Sequence, residues 1–274
     1  MTHRSTRSAR SRTRSLRPIH EPARTIPAAA EADICVIGGS CTGVFAAVAA
    51  ARLGARVAIV ETHGFFGGMA TAALIGIWHS TLDAEFKKTI IAGLTAEVIE
   101  RLDRRHAVLH CPENRNMAHI LNTPELMIEL DALIRDARVR PFLHARFVAP
   151  VVERGRLAAV VIEDKSGRRA IRARYFVDAT GDGDLVARLG LSCRKLADLQ
   201  PPTTAAVFRG LKSCSCRNPH FSLGKAVFDP KTPGSLPPGF LWDAEIIGAP
   251  DCRLVAGTRV SRADCSDADE LTRA

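Results

Sequence analysis

Gly38-Gly39-Ser40-Cys41-Thr42-Gly43 stands between an apolar run and an alanine-rich stretch, and Glu61 follows at close to the ~20 residues that separate a phosphate-binding turn from a ribose-binding acid. The chemistry this spacing serves is nucleotide binding. A pyrophosphate is held by backbone N–H groups at a helix N-terminus, and side chains in the turn would obstruct its approach. Gly38 and Gly43 meet that requirement. Ser40 occupies the middle position where G-x-G-x-x-G expects glycine, so a Cβ and a hydroxyl lie where backbone should approach the phosphates. A serine hydroxyl can itself donate to phosphate. Glu61 would accept hydrogen bonds from ribose hydroxyls, and its charge disfavours a 2′-phosphate, which argues against NADP. The plain alternative for the glycines alone is an ordinary strand-to-helix turn.

The elements that must position these residues are legible around them. Ile34-Cys35-Val36-Ile37 has strand length, residues 44–53 suit a helix, and Val57-Ala58-Ile59-Val60 is a second strand ending at Glu61. The unit is a βαβ crossover, and the expected fold class is α/β with a central parallel sheet.

Beyond that unit, Glu61-Thr62-His63-Gly64-Phe65-Phe66-Gly67-Gly68-Met69-Ala70-Thr71 resembles the segment after the second strand in glutathione-reductase-like, FAD-dependent oxidoreductases. In that family the glycine pair, here Gly67 and Gly68, lets the chain pass close to the flavin and its phosphates. Tyr175-Phe176-Val177-Asp178-Ala179-Thr180-Gly181-Asp182-Gly183-Asp184 is similar to the family's strand end that closes over the cofactor. The resemblance covers the chain from about residue 32 onward, including the stretch from Ser261 to Ala274. It implies a Rossmann-like FAD-binding domain with a small antiparallel meander, followed by the start of a second, substrate domain. It implies FAD contacts from Gly38, Gly39, Ser40, Cys41, Thr42, Gly43, Glu61, Gly67, Gly68, Met69, Ala70, Thr71, Ala179, Thr180, Gly181 and Asp184, with backbone of the strand near Phe147 meeting adenine. The other reading of Phe147 is that it simply packs.

The family fold continues to a C-terminal portion that returns to the nucleotide domain, so the resemblance implies, as an expectation, a truncated chain. Asp243 and Asp251 lack the apolar strand and glycine context of a closing motif. The expected organisation is a disordered basic tail over 1–30, an FAD-binding domain over 31–190 with a helical insert at about 74–122, and a truncated substrate domain over 191–274.

Composition fits an α/β protein, with 46% apolar and 24% charged residues and no apolar run long enough to span a bilayer. The net charge of +9 invites a nucleic-acid reading, but residues 1–30 hold most of the arginine excess and almost no large apolar side chains. That tail reads as a solvated extension and not as a specific nucleic-acid site; it also lacks the apolar region of a secretory signal. Eight cysteines without such a signal suggest a reducing cytoplasm and buried thiols. Cys214-Ser215-Cys216 lacks zinc-ligand spacing, and no C-x-x-C occurs. No metal is expected.

In the insert, apolar residues at Ile90, Ile91, Leu94, Val98 and Leu102 predict a packing helix over 86–102. His106 and His110 could share a helical face, but Pro112 ends any helix there. His79, just after the glycine pair, could approach a flavin or be structural. Thr123 as N-cap and Pro124 at N1 predict a helix through about residue 137. Strands are expected over 139–148, 151–152 and 157–162, with turns at Glu153-Arg154-Gly155 and Lys165-Ser166-Gly167. Loops and short strands such as 205–208 fill the region after 191. No Ser-His-Asp order, paired carboxylates or tyrosine base stands out, so no catalytic side chain is named. The functional expectation is an oxidoreductase in which FAD carries the redox chemistry for a small organic substrate. The rivals are a nonenzymatic remnant of such an enzyme and an NAD-dependent dehydrogenase. Oligomeric state is not legible.

Overall fold

The computed structural model describes residues 17–237, 239–257 and 259–274. The part of the expected tail before residue 17 lies outside the described residues. The chain begins with strand β1 (Ala28–Ile37), helix α1 (Cys41–Arg52) and strand β2 (Val57–Val60). The strand therefore starts inside the stretch expected to be a disordered tail. Its first residues are small and weak strand formers, and what orders them is pairing with a distant strand, Ala28 lying opposite Ala170 and Ala30 opposite Ile171.

The insert follows as β3 (Ile77–Trp78), α2 (Leu94–Asp103), β4 (Val108–His110) and β5 (His119–Leu121). These strands make a three-stranded sheet in the order β3-β5-β4. The helix expected over 86–102 forms only in its second half. Gly93 precedes α2 at φ 65, Phe86 has φ 57, and Ile90 is exposed, so the apolar spacing there did not mark a buried face. The turn after α2 holds His106 at φ 53, and His110 belongs to a strand, so the two share no helical face.

Helix α3 (Thr123–Asp136) forms as expected, but its cap is Asn122, whose Oδ1 accepts from Glu125 N at 3.2 Å. Thr123 is already helical. Next come β6 (Arg140–Phe142), β7 (Arg146–Glu153), β8 (Arg156–Asp164) and β9 (Gly167–Asp178). The single strand expected over 139–148 is thus two strands with different partners, β6 pairing in parallel with β2 and β7 pairing antiparallel with β8.

The resulting six-stranded sheet has the order β6-β2-β1-β9-β8-β7. Strands β6, β2, β1 and β9 run parallel, and β8 and β7 complete the antiparallel meander. One face packs on α1, α3 and α2 through Val44, Val48, Ile59, Leu102, Leu126, Leu130 and Leu133. The other buries Cys35, Ile37, Val60, Phe142, Phe147, Val160 and Ile171. Burial on both faces explains why residues 34–37 of β1 and the whole of β2 read as continuous apolar runs.

After α4 (Asp184–Arg188), the chain forms β10 (Thr204–Arg209), α5 (Leu211–Arg217), α6 (Leu223–Phe228), β11 (Trp242–Glu245), β12 (Cys252–Gly257) and α7 (Ala268–Arg273). Strands β10, β12 and β11 make a third, antiparallel sheet. Asp243 lies in β11 and pairs with Arg253. Among the described residues no helix is long and apolar enough to cross a membrane.

Candidate functional site

Three strands of the parallel sheet end at one level. In register, Ile37 of β1 lies opposite Val60 of β2 and Asp178 of β9. The ends are tied by Gly38 N to Val60 O at 2.9 Å and Ala179 N to Ile37 O at 2.7 Å. The glycine turn, Glu61 and the Ala179-Thr180-Gly181 segment therefore emerge together at the carboxyl edge of the sheet, where open α/β sheets bind ligands.

The glycine turn is packed tightly. Gly38 has φ 99, and a Cβ on it would stand 2.2 Å from Ala179 O. A Cβ on Gly43 would stand 1.9 Å from Gly38 O, so glycine is what lets α1 approach β1. Ser40 is the N-cap of α1, its Oγ accepting from Gly43 N at 3.3 Å and lying 3.5 Å from Ala179 O. The hydroxyl that stands where glycine was expected is thus turned to capping the helix. The first turn of α1 presents its backbone N–H groups at this point, with the positive end of the helix dipole.

Against that turn lies the second glycine pair. Gly67, at φ 118, donates its N–H to Gly39 O at 2.8 Å, and a Cβ on Gly68 would come within 3.0 Å of Ser40 Cβ. Cys41 Sγ contacts Gly67 O at 3.6 Å. Burial pushes the Cys41 thiol up to about 11 and the Cys35 thiol up to about 12, so both stay protonated. Met69 points out to solvent, whereas Ala70 is buried in the core. Thr71 is fully buried, its hydroxyl donating to Phe66 O at 2.8 Å. The side chains of Ala70 and Thr71 therefore brace the glycine pair from behind and do not reach the cleft.

Glu61, at the end of β2, is only 7% exposed. Its Oε2 accepts from Gly39 N at 2.6 Å, and its Oε1 accepts from His63 N at 2.8 Å and meets His63 Nδ1 at 2.9 Å. The strand-end acid and the glycine turn thus form one hydrogen-bonded unit.

The third segment is organised by Asp178. Its Oδ1 accepts from Thr180 N at 3.2 Å and from Thr180 Oγ1 at 2.7 Å, and its Oδ2 accepts from Leu185 N and Val186 N at 3.0 Å each. This carboxylate shapes the loop through Gly181 and caps α4. Burial, with the Asp184 and Asp264 carboxylates, pushes Asp182 up from its ordinary value.

Between these segments opens a cleft of about 410 Å³. Of the residues expected from the sequence, Gly38, Ser40, Glu61, Gly68, Phe147, Ala179, Thr180 and Asp184 line it. Gly39, Cys41, Thr42, Gly43, Gly67, Met69, Ala70, Thr71 and Gly181 stand behind or beside that lining. Phe147 is itself buried, with the Arg188 guanidinium 5.5 Å from its ring centroid. Arg188 also donates to Val148 O, at a bulge where the β7–β8 register shifts.

Sequence reasoning missed His63, Arg146, Arg188 and the segment carrying Cys265, Ser266, Ala268 and Leu271, all of which line the same cleft. The spacing of Arg188 inside α4 and of Arg146 at the start of β7 carried no signal of its own. His79 lines a separate hollow with Cys41, Thr42, Phe45 and Trp78. A larger hollow of about 640 Å³ among α5, α6, β11 and β12 contains no glycine turn and no strand-end acid of this kind. Among the described residues, no group of three or more His, Cys, Asp or Glu side chains converges as a metal-ligand set.

Residues 33–223 match the family described as FAD dependent oxidoreductase. Among solved structures, the chain is similar to p-nitrophenol 4-monooxygenase PnpA from Pseudomonas putida DLL-E4, with 11% identity, a TM-score of 0.55, and coverage of 89% of this chain and 61% of that one. It is similar to a geranylgeranyl bacteriochlorophyll reductase-like protein from Thermoplasma acidophilum, with 15% identity, a TM-score of 0.52, and coverage of 83% and 56%. It is also similar to BexE, described for oxidation during BE-7585A biosynthesis, with 15% identity, a TM-score of 0.54, and coverage of 82% and 43%. At such identities the likeness is one of fold. The chain spans between 43% and 61% of the length of these structures. No curated protein matches it in sequence.

Proposed function

Because this chain belongs to the FAD dependent oxidoreductase family, whose cofactor is FAD, we propose that it holds the adenosine and pyrophosphate of FAD in the cleft at the carboxyl edge of its parallel sheet. The observation that carries this placement is the unit formed by Glu61 and the glycine turn, in which a buried carboxylate bonds Gly39 N at 2.6 Å beside the start of α1. The cradle fits the group. Side chains at Gly38, Gly43 or Gly68 would meet backbone or Ser40 at 2.2, 1.9 and 3.0 Å, so this architecture exists only with glycine at those positions.

Each part of the cleft then has a task. Glu61 accepts ribose hydroxyl hydrogen, and the first-turn N–H groups of α1 face the pyrophosphate with the favourable end of the helix dipole. Gly67 and Gly68 keep side chains away from the path of the cofactor. Ala179 and Thr180 close the cleft from β9, held by Asp178. Arg146 and Arg188 set positive charge at the Phe147 wall, where the β7 backbone would meet adenine. When bound, FAD accepts hydride or an electron pair from an organic substrate, and the protein supplies position and electrostatics. The substrate domain is assigned to the region after 191, and the reading for the whole protein is a flavin-linked oxidoreductase working on a small molecule.

The test is to purify the full chain, release bound flavin by denaturation and identify it by mass. FAD near one per chain is expected. A folded protein that neither carries FAD nor takes it up on titration would overturn the proposal, and NAD bound in its place would point to the dehydrogenase alternative.

A further inference from the structure

The acceptor capacity of Glu61 is almost used up within the protein itself. A carboxylate offers about four lone-pair positions. Oε1 receives the His63 backbone N–H at 2.8 Å and His63 Nδ1 at 2.9 Å, and Oε2 receives Gly39 N–H at 2.6 Å. With a carboxylate oxygen as its neighbour, Nδ1 carries the proton. One position, on Oε2, is left, whereas a ribose brings two hydroxyl donors.

The His63 ring is the donor that can leave. Its backbone is held on both sides, by His63 N to Glu61 and by His144 N to His63 O at 3.1 Å, so ring rotation disturbs neither. The side chain is 51% exposed and stacks on Phe65 with ring centroids 5.4 Å apart. A side-chain contact so open to water is worth no more than about five-fold in an equilibrium constant. A hydroxyl bonded to the vacated carboxylate position is worth about ten-fold. The exchange therefore favours the ribose.

Resting on the reading of this cleft as an FAD site, we propose that His63 is a displaceable stand-in for the second ribose hydroxyl: its ring bonds Glu61 and competes with the cofactor for Oε1. The competition lowers affinity for ligands that bring both hydroxyls and leaves ligands without them unaffected.

ADP and 2′,3′-dideoxy-ADP are the probes, titrated calorimetrically into the full chain as wild type and as H63F, which keeps a ring to stack on Phe65 but has no donor. In H63F, ADP is expected to bind more tightly by about two- to five-fold, with dideoxy-ADP unchanged. H63A, checked for native circular dichroism, should give the same pattern and guards against misfolding of either variant. ADP affinity unchanged within two-fold of wild type, or weakened, in the folded variants would overturn the inference, as would equal changes for both probes, the mark of a merely structural histidine. Wild-type protein that binds neither ADP nor FAD would overturn the FAD reading together with it.

Discussion

Replacing Glu61 with glutamine keeps shape and volume while removing half of the acceptor capacity. Three donors converge on the carboxylate: Gly39 N at 2.6 Å, His63 N at 2.8 Å and His63 Nδ1 at 2.9 Å. A glutamine amide offers one oxygen, and whichever way it turns, its NH₂ confronts a backbone donor. If the NH₂ faces the turn, the buried Gly39 N–H loses its partner, at a cost of about 1–3 kcal/mol. If it faces the other way, the His63 backbone is orphaned and the His63 ring is released to solvent, which costs less because that ring is half exposed. About 2 kcal/mol is the reasoned loss. At about 2–4 °C per kcal/mol for domains of this size, the midpoint of thermal unfolding should fall by about 4–8 °C in the cofactor-free protein. ADP should bind about ten-fold more weakly, since the ribose loses a charged acceptor. Circular dichroism melts before loading, followed by calorimetric titration, separate the two effects. An E61Q protein that melts with the wild type and binds ADP equally well would refute both the role of the carboxylate in the turn and its role toward ribose.

Gly43→Ala should be more severe, because its Cβ would stand 1.9 Å from Gly38 O and 3.2 Å from Ala179 Cβ, forcing α1 off β1; loss of FAD uptake and of soluble yield checks it, whereas G54A, with nothing within 4 Å, should retain FAD despite its φ of 90. The Arg52 guanidinium, with help from Arg101, holds the Glu97 carboxyl down to about 2 from an ordinary 4.5, and so ties α1 to α2. A depressed carboxyl contributes stability that is present above 4.5 and lost as pH falls toward 2. Urea midpoints taken at about pH 5 and about pH 3 should therefore fall less for E97Q than for wild type, and parallel falls would rule out this source of acid sensitivity.

What the sequence makes legible is what each segment carries in its own backbone chemistry. The turn after residues 34–37, the helix behind it and the strand ending at Glu61 were readable because glycine, alanine and β-branched residues state local preferences that the tertiary structure does not override. Ser40 shows where that reading reaches its limit. Its type breaks the glycine pattern, and only its extended φ −61, ψ 170 and its bond to Gly43 N reveal that the hydroxyl serves the helix as a cap. The helix expected over 86–102 failed in its first half for a local reason, Gly93 at φ 65, which apolar spacing alone does not register. Asp178 and His63 stood inside quoted motifs without a role, because their roles depend on distant backbone N–H groups and on which carboxylate a short loop folds back upon.

The convergence of the motifs is a separate matter, and it belongs to strand register. Side chains on a strand alternate between faces, so slipping β9 against β1 by one residue would move Phe176 and Val177 to the wrong sides of the sheet. The two apolar faces prevent that slip: Phe176 packs on the meander side, while its neighbour Val177 packs on the helical side. The same constraint acts on β2 through Ile59 and Val60, which are buried on opposite faces. With both registers pinned, Ile37, Val60 and Asp178 must end abreast. The glycine turn, the strand-end acid and the closing loop are then delivered to one cleft by core packing. A mutation deep in the sheet that shifted either register would dismantle the cleft without altering a residue that lines it.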